Sequence, residues 1–158
     1  MGYTHNTGFE TAVNQVLPGR MYAVFQHCEK MPQQSEVVLY TKGNGHTYAR
    51  FMAQSLPGCC GVLVLYYVEG YGRTQQTTLK RAVDCVDVVC KAAKRAKYGC
   101  VLMTQRVDSA IVAVLPQELW RSAPVFVNGK TDRKLVMLYH LIDYVAPPPR
   151  VAAITASE

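Results

Sequence analysis

Two polar loops carry residue types that bind phosphate, and each follows an apolar run. The first loop follows "VVLY" (37–40) and the second follows "GVLVLYYV" (61–68); their residues are Gly43, Asn44, Gly45, His46 and Thr47, and Tyr71, Arg73 and Thr74. Glycine lets backbone N–H groups approach an anion closely, and arginine pairs with phosphate oxygens. If each loop opens a helix, the helix N-terminus attracts the same anion. These loops therefore predict a phosphate site, whereas residues 43–47 are equally typical of an Asn-Gly bend with a threonine cap.

Short segments of these loops resemble phosphate loops of known families. The pattern Tyr40-x-x-x-x-Gly45-x-Thr47 is loosely similar to the phosphate loop of flavodoxin-like proteins. The segment "RTQQTT" from Arg73 is similar to the Arg-x-x-Gly-x-Gly/Ala pyrophosphate loop of acetyltransferases. Gln76 and Thr78 stand where that loop has small residues whose backbone approaches the cofactor. We therefore expect neither membership of that family nor coenzyme A binding, and no cofactor is predicted.

Side chains suited to catalysis form no recognisable set. His27 next to Cys28, and the pair Cys59 and Cys60, provide base and nucleophile types, but adjacency in sequence is not a catalytic geometry. The acids near predicted strand ends are isolated from one another: Glu36, Glu69 and Asp108. No cysteine spacing is C-x-x-C, and no histidine lies at zinc-finger distance from a cysteine pair. The sequence thus predicts no catalytic or metal-binding residues and leaves open, with a lean against it, whether the protein is an enzyme.

The end of the strongest predicted helix is rich in cations. They are Lys91, Lys94, Arg95 and Lys97, followed by Tyr98. One interpretation is structural, because cations at a helix C-terminus favour the dipole and Asp87 with Lys91 forms an i,i+4 pair. The other is functional, because this cluster with a stacking ring suits a nucleic-acid backbone. The formal net charge of +6 and the ten tyrosines favour the second interpretation.

The elements that must position these residues follow from hydrophobic periodicity. Thr7 and Glu10 form a capping-box pattern for a first helix, and "MYAVFQH" (21–27) is typical of a strand. The apolar runs at 37–40, 61–68 and 100–104 alternate with helical patterns at 47–56 and 79–98, and "EKMPQQSE" is predicted as a loop. This order predicts an α/β fold with a βαβαβ core in a mixed sheet.

The last third of the sequence predicts an antiparallel extension. The runs "VLMTQ" and "AIVAVL" flank "RVDS" and suggest a hairpin, and "PQELW" begins a short turn of helix. Residues 133–144 fit both a strand and a helix, and we favour the strand. Residues 1–145 are predicted to form one domain and residues 146–158 a proline-rich flexible tail.

Composition limits the class of protein. No run approaches the roughly 18 apolar residues of a membrane span, and no secretory signal is recognisable, so a cytoplasmic protein with six free cysteines is expected. The leading hypothesis is a small accessory protein, of viral or phage type, that binds nucleic acid, with RNA preferred. The alternative is an enzyme or sensor that binds a phosphate-bearing small molecule at the carboxyl edge of the sheet. The third is a protein-interaction module or homo-oligomer that uses the tail and exposed tyrosines.

Overall fold

The computed structural model describes residues 7–28, 30–56 and 61–143. These residues form three helices and seven strands: α1 (Thr7–Val16), β1 (Met21–Cys28), β2 (Met31–Thr41), β3 (Thr47–Ser55), β4 (Val62–Gly70), α2 (Gln75–Arg95), β5 (Cys100–Arg106), α3 (Ala110–Val114), β6 (Arg121–Val127) and β7 (Lys130–Leu141). Within these ranges no helix is long and apolar enough to cross a membrane.

The seven strands form one mixed sheet in the order β1-β2-β3-β4-β5-β7-β6. Strands β1 to β4 pair antiparallel in chain order. Strand β5 lies parallel to β4, and α2 makes the crossover between them. Strand β7 then pairs antiparallel with both β5 and β6. The predicted fold class is confirmed: a single α/β domain with a mixed sheet, an N-terminal helix and a C-terminal antiparallel extension.

The helix predicted over residues 47–56 is wrong, because this segment is strand β3. Tyr48, Phe51 and Met52 have the i, i+3, i+4 spacing of a helix face, but burial follows a period of two through Ala49, Phe51 and Ala53. The loop predicted at "EKMPQQSE" is also wrong, since β2 begins at Met31. The core therefore has one βαβ unit, β4–α2–β5, rather than two in succession.

In the C-terminal extension, the predicted hairpin is wrong and the predicted last strand is confirmed. The predicted "AIVAVL" strand is helix α3, so the expected hairpin around "RVDS" is wrong. The strand favoured for residues 133–144 is confirmed in β7, which ends at Leu141. Asn128 and Gly129 both have positive φ between β6 and β7, as a tight Asn-Gly hairpin turn requires. The predicted tail, residues 146–158, lies outside the described residues.

The hydrophobic core lies on one face of the sheet, beneath the helices. Phe9 of α1 packs edge-on against Phe51 of β3, with ring centroids 6.1 Å apart. Glu10 of the same helix is also buried, but it does not act as the expected capping residue. Its carboxylate accepts hydrogen bonds from the buried Ser35 hydroxyl at 2.7 Å and pairs with His27 at 2.6 Å. These contacts attach α1 to β1 and β2.

Helix α2 is the central helix of the core. It runs four residues further toward the N-terminus than the predicted start at residue 79 and ends at Arg95 rather than at residue 98. Val86 is buried, and Val83 and Cys90 are partly buried. Lys97 takes the left-handed conformation just after the helix, with φ of 69°.

Candidate functional site

Strands β4 and β5 separate toward their carboxyl ends. Their pairing covers only three pairs of residues and ends at Val64 and Leu102. Strand β4 nevertheless continues to Gly70 and β5 to Arg106. A parallel strand that loses its neighbour leaves backbone N–H and C=O groups available to a ligand. The sheet is therefore open at the carboxyl end of its one parallel pair.

A β-bulge in β4 accompanies this separation. Met52 of β3 pairs with Tyr67 and Ala53 pairs with Leu65, which leaves Tyr66 as the extra residue. A bulge bends its strand and increases the local twist. The bulge lies directly after Val64, where the β4–β5 pairing ends. The bend thus turns the end of β4 away from β5.

The N-terminus of α2 lies beside this opening. Thr74 is the N-cap, and its hydroxyl accepts from the Thr77 N–H at 3.1 Å. The Thr78 N–H donates to the Thr74 carbonyl at 3.0 Å. Among the described residues, the backbone N–H groups of Gln75 and Gln76 have no hydrogen-bond acceptor. Two donors at the positive end of a 21-residue helix are thus available to an anion.

Two glycines allow α2 to approach β4 this closely. A Cβ atom on Gly70 would lie 2.1 Å from the Thr78 carbonyl oxygen and 2.6 Å from the Ala82 nitrogen. A Cβ atom on Gly72 would lie 2.8 Å from a Thr77 side-chain carbon. The positions of the free N–H groups therefore depend on both glycines.

A cleft of 1030 Å³ occupies the space between these elements. Its walls come from the end of β4, the connecting loop and first turns of α2, and from Gln105 and the start of α3. Glu69 and Arg73 are the only ionisable side chains among its described lining residues. The cleft can therefore hold an elongated ligand with an anionic group at the helix N-terminus.

The opposite face of the sheet carries a polar cluster and, in the described part of the chain, no helix. Arg50 donates to Glu69 at 2.9 Å, and its guanidinium lies 5.4 Å from the centre of the Tyr67 ring. Tyr67 donates to Glu36 at 2.9 Å. Burial, with help from Glu36, raises the pKa of Tyr67 to about 12. The hydrogen bond from Arg50 lowers the pKa of Glu69, so Glu69 is a carboxylate and Tyr67 a neutral phenol at neutral pH.

Cys85 and Cys90 of α2 are not nucleophiles. Both are thiols without a disulfide partner. Burial raises the pKa of Cys85 strongly and that of Cys90 to about 12, so neither forms a thiolate at neutral pH. Cys59 and Cys60 lie outside the described residues. No group of three metal-ligating side chains occurs among the residues that the structure describes.

The two predicted phosphate loops meet, but by a different route from the one expected. Residues 43–47 join two antiparallel strands and do not open a helix. Gly43 and Gly45 have φ of 93° and 68°, and the Asn44 side chain accepts from the His46 N–H, so these three residues form a hairpin turn. Because β3 starts where β4 ends, His46 and Thr47 nevertheless line a pocket together with Tyr71 and Arg73.

Three basic side chains at the end of α2 have partners within the protein. Lys91 pairs with Asp87 at 2.9 Å and Lys94 with Asp143 at 2.9 Å. Arg95 hydrogen-bonds Gln15 of α1.

The aromatic residue of the predicted site is also engaged. Tyr98 packs edge-on against Phe9 and shares a hydrogen bond with Ser55. Lys97 ends the helix through its backbone. These contacts agree with the structural interpretation of the cluster.

The fold is that of acetyltransferases of the GNAT family. A GNAT family acetyltransferase of Elizabethkingia anophelis with acetyl-CoA bound is 11% identical, covers 79% of this chain and 100% of its own, and has a TM-score of 0.53. An IAA acetyltransferase of Bacillus cereus is 10% identical, covers 77% of this chain and 99% of its own, and has a TM-score of 0.55. An acetyltransferase of Bacillus subtilis in complex with CoA is 10% identical over 78% and 98%, with a TM-score of 0.51. No family model and no curated protein matches the sequence.

These similarities overturn the leading hypothesis. The prediction of an RNA-binding accessory protein of viral or phage type is wrong, because these structures with the same fold are acetyltransferases. The alternative, a small phosphate-bearing ligand at the carboxyl edge of the sheet, agrees better. Gln76 and Thr78 led us to expect a chain unlike the acetyltransferases, but its fold is the same as theirs. The Thr78 hydroxyl turns back to donate to the Gly72 carbonyl at 3.3 Å, and Gln76 is exposed.

Proposed function

We propose that this protein is an acyltransferase that takes its acyl group from an acyl-coenzyme A. The observation that supports this most is the opening of the sheet between β4 and β5 beside the N-terminus of α2. Structures with this fold include one with acetyl-CoA bound and one in complex with CoA. The proposal therefore develops the small-molecule alternative from the sequence.

The residues of the cleft fit such a donor. The free N–H groups of Gln75 and Gln76 would hold the diphosphate, with Arg73 as the only positive side chain among the described residues of the cleft. The edge of β4 that faces β5 is unpaired beyond Val64 and would pair with the amide groups of the pantetheine arm, as a neighbouring strand would. The Thr78 hydroxyl bonds to the Gly72 carbonyl within the loop.

The reaction would be attack of the neutral form of an acceptor amine on the thioester carbonyl: the C–N bond forms, the C–S bond breaks, and the departing thiolate of coenzyme A takes up the proton that the nitrogen loses. An ammonium form must first release a proton to water. Among the described residues that line the cleft, Glu69 is the only carboxylate. Because the pKa of Glu69 is lowered by Arg50, its carboxylate is a weak base. We assign it attraction and orientation of the ammonium form of the acceptor rather than strong base catalysis.

A proline substitution tests the proposed diphosphate site. Gln75 is the first residue of α2, where proline is well tolerated, and Thr74 has the extended backbone (φ −121°, ψ 160°) that a following proline needs. Gln75→Pro removes one backbone N–H and should weaken acetyl-CoA binding about tenfold, the value of one charge-assisted hydrogen bond, without lowering the melting temperature. Gln75→Ala keeps the N–H and is the matched control.

Binding is measured by calorimetry with acetyl-CoA, with ATP as a phosphate ligand that lacks pantetheine. The proposal requires that acetyl-CoA binds and that ATP binds more weakly. Transfer is then followed by mass spectrometry of acetylated product over a panel of primary amines. Native protein that fails to bind acetyl-CoA would contradict the proposal.

A further inference from the structure

A second pocket, of 450 Å³, lies on the β3 side of the α2 N-terminus. It shares Gly72 and Arg73 with the cleft, but its other walls come from His46 and Thr47 at the start of β3 and from Arg81 of α2. The cleft instead extends toward β5 and α3. The two cavities are therefore neighbours separated by the loop that precedes α2.

The side chains of this pocket favour an anion. Arg73, Arg81 and His46 line it, and none of its lining residues is acidic. The acids nearby already have partners. Glu69 pairs with Arg50 at 2.9 Å, and Asp84 accepts from Tyr48 at 2.6 Å and from Lys80 at 3.1 Å. Their charges are largely compensated, so the field in the pocket is positive.

Arg81 is held in place before any ligand binds. One of its terminal nitrogens donates to the Tyr71 carbonyl at 2.7 Å, and its guanidinium lies 4.7 Å from the centre of the Tyr48 ring. A guanidinium has five N–H donors, so donors remain for a ligand. A fixed guanidinium loses less side-chain entropy on binding than a mobile one.

We infer that this pocket binds the 3′-phosphate that coenzyme A carries on its ribose. The inference rests on the proposed function, because a diphosphate at the α2 N-terminus puts the attached ribose next to the shared loop. A phosphate monoester carries a charge of about −1.5 to −2 at neutral pH, more than a single arginine neutralises. Arg73 and Arg81 together match that charge, and Thr47 and Thr77 add hydroxyl groups.

The test compares coenzyme A with dephospho-coenzyme A, which lacks only the 3′-phosphate. In the native protein, the dissociation constant of dephospho-coenzyme A should exceed that of coenzyme A by a factor of about ten or more, as expected for loss of charge-assisted hydrogen bonds. Arg81→Gln should reduce the ratio of the two dissociation constants severalfold by weakening only coenzyme A, while Arg73 keeps part of the preference. Lys91→Gln makes the same charge change on the same helix, away from the pocket, and should leave the ratio as it is.

His46→Gln is the second variant, since its side chain lines the pocket without a described structural contact. It should reduce the ratio in part, and this measurement decides if Arg81→Gln does not fold. Equal affinity of the native protein for both ligands would overturn the inference and leave the proposed function standing. An unchanged ratio in the pocket variants would also overturn it. Failure of both ligands to bind would instead reject the proposed function itself.

Discussion

At the scale of single residues, the helix-free face of the sheet is defined by hydrogen bonds to carboxylates. Glu36 accepts from Tyr67, and Glu69 accepts from Arg50 and, at 3.2 Å, from Tyr71. The contacts of Glu36 with Tyr67 and of Glu69 with Arg50 join residues from different strands, so these side chains are fixed relative to the opening between β4 and β5. An acceptor substrate that approaches from this side would meet ordered groups rather than mobile ones.

Replacing Tyr67 should change how stability depends on alkaline pH. The pKa of Tyr67 is raised from 10.0 to about 12, so its contribution is fully present below pH 10 and is lost as pH rises through about 12. Tyr67→Phe should therefore show a smaller loss of unfolding free energy across this interval than the native protein. Denaturant unfolding at a series of pH values measures it. Parallel curves for the two proteins would show that the pKa of Tyr67 is not raised.

At the scale of elements, α2 is fixed at both ends by backbone geometry. Its N-terminus lies against Gly70, where no Cβ atom fits. At its C-terminus the Tyr98 N–H donates to the Ala93 carbonyl at 2.9 Å and the Lys97 N–H to the Lys94 carbonyl at 3.1 Å. This pair of bonds is a Schellman motif, which normally has glycine at the position of Lys97. The N-terminal end of α2 thus has the glycine that its close contact requires, whereas at the C-terminal end a lysine takes a backbone conformation that favours glycine.

Gly70→Ala should destabilise the protein severely, by about 3 kcal/mol or more, because the added methyl group meets backbone atoms rather than a flexible side chain. It should also weaken acetyl-CoA binding, since the α2 N-terminus must move. Gly8→Ala is the control, because a Cβ atom there has nothing within 4 Å and alanine favours the helix. Thermal and denaturant unfolding of the two variants give the comparison, and similar stabilities would show that α2 is not packed so closely against β4.

Lys97→Gly should stabilise the protein by about 0.5–1 kcal/mol, because glycine adopts positive φ without the steric cost that a lysine pays. Lys94→Gly, in the last turn of the helix proper, should do the reverse by about 1 kcal/mol. Urea unfolding of both variants would detect these changes. A destabilised Lys97→Gly variant would mean that the Lys97 side chain contributes more than its backbone strain costs.

At the scale of the whole molecule, all three described helices share one core with one face of the sheet, and the opening between β4 and β5 passes from this face to the other. The proposed donor and acceptor would therefore contact different faces and meet within the sheet. A ligand in this opening contacts the backbone of β4 and β5 only. The pairings among the first four strands lie on the other side of β4 and are not interrupted by the opening.

Hydrogen exchange should show this limit directly. Acetyl-CoA should slow exchange of amides in residues 65–70 and in the first turn of α2, which lose access to water or gain a partner. Exchange in β1 and β6 should stay unchanged. Mass spectrometry of the exchanged peptides provides the map. Protection confined to β7 and the second half of α2 would place the ligand elsewhere.

The sequence predicts an element correctly where many of its residues are buried and where its hydrophobic spacing fits either a helix or a strand but not both. The continuous apolar run of β4 and the repeated small and branched residues of α2 are such cases. Residues 47–55 were predicted as a helix because Tyr48, Phe51 and Met52 have helical spacing. The alternation of Ala49, Phe51 and Ala53 fits a strand equally well, and only pairing with β2 and β4 selects the strand.

The site itself depends on relations between elements. The bulge at Tyr66 exists only relative to β3, and the requirement for Gly70 exists only once α2 has docked. No local pattern could have indicated either of them. Of the residues that line the 450 Å³ pocket, the sequence singled out His46, Thr47, Tyr71 and Arg73 by type. It did not indicate Arg81 or Thr77, which reach the pocket only because α2 packs beside β3 and β4.

The strand order has a consequence for synthesis on the ribosome. Strand β7 lies between β5 and β6, although it is made after both of them. The first four strands pair with neighbours in the order in which they emerge, so this part of the sheet can form as the chain is made. A nascent chain that has not reached Lys130 still holds β5 as an open edge, and β6 lacks the strand with which it pairs. Pausing of translation within this interval would extend the time for which an unpaired edge is exposed to other nascent chains or to chaperones.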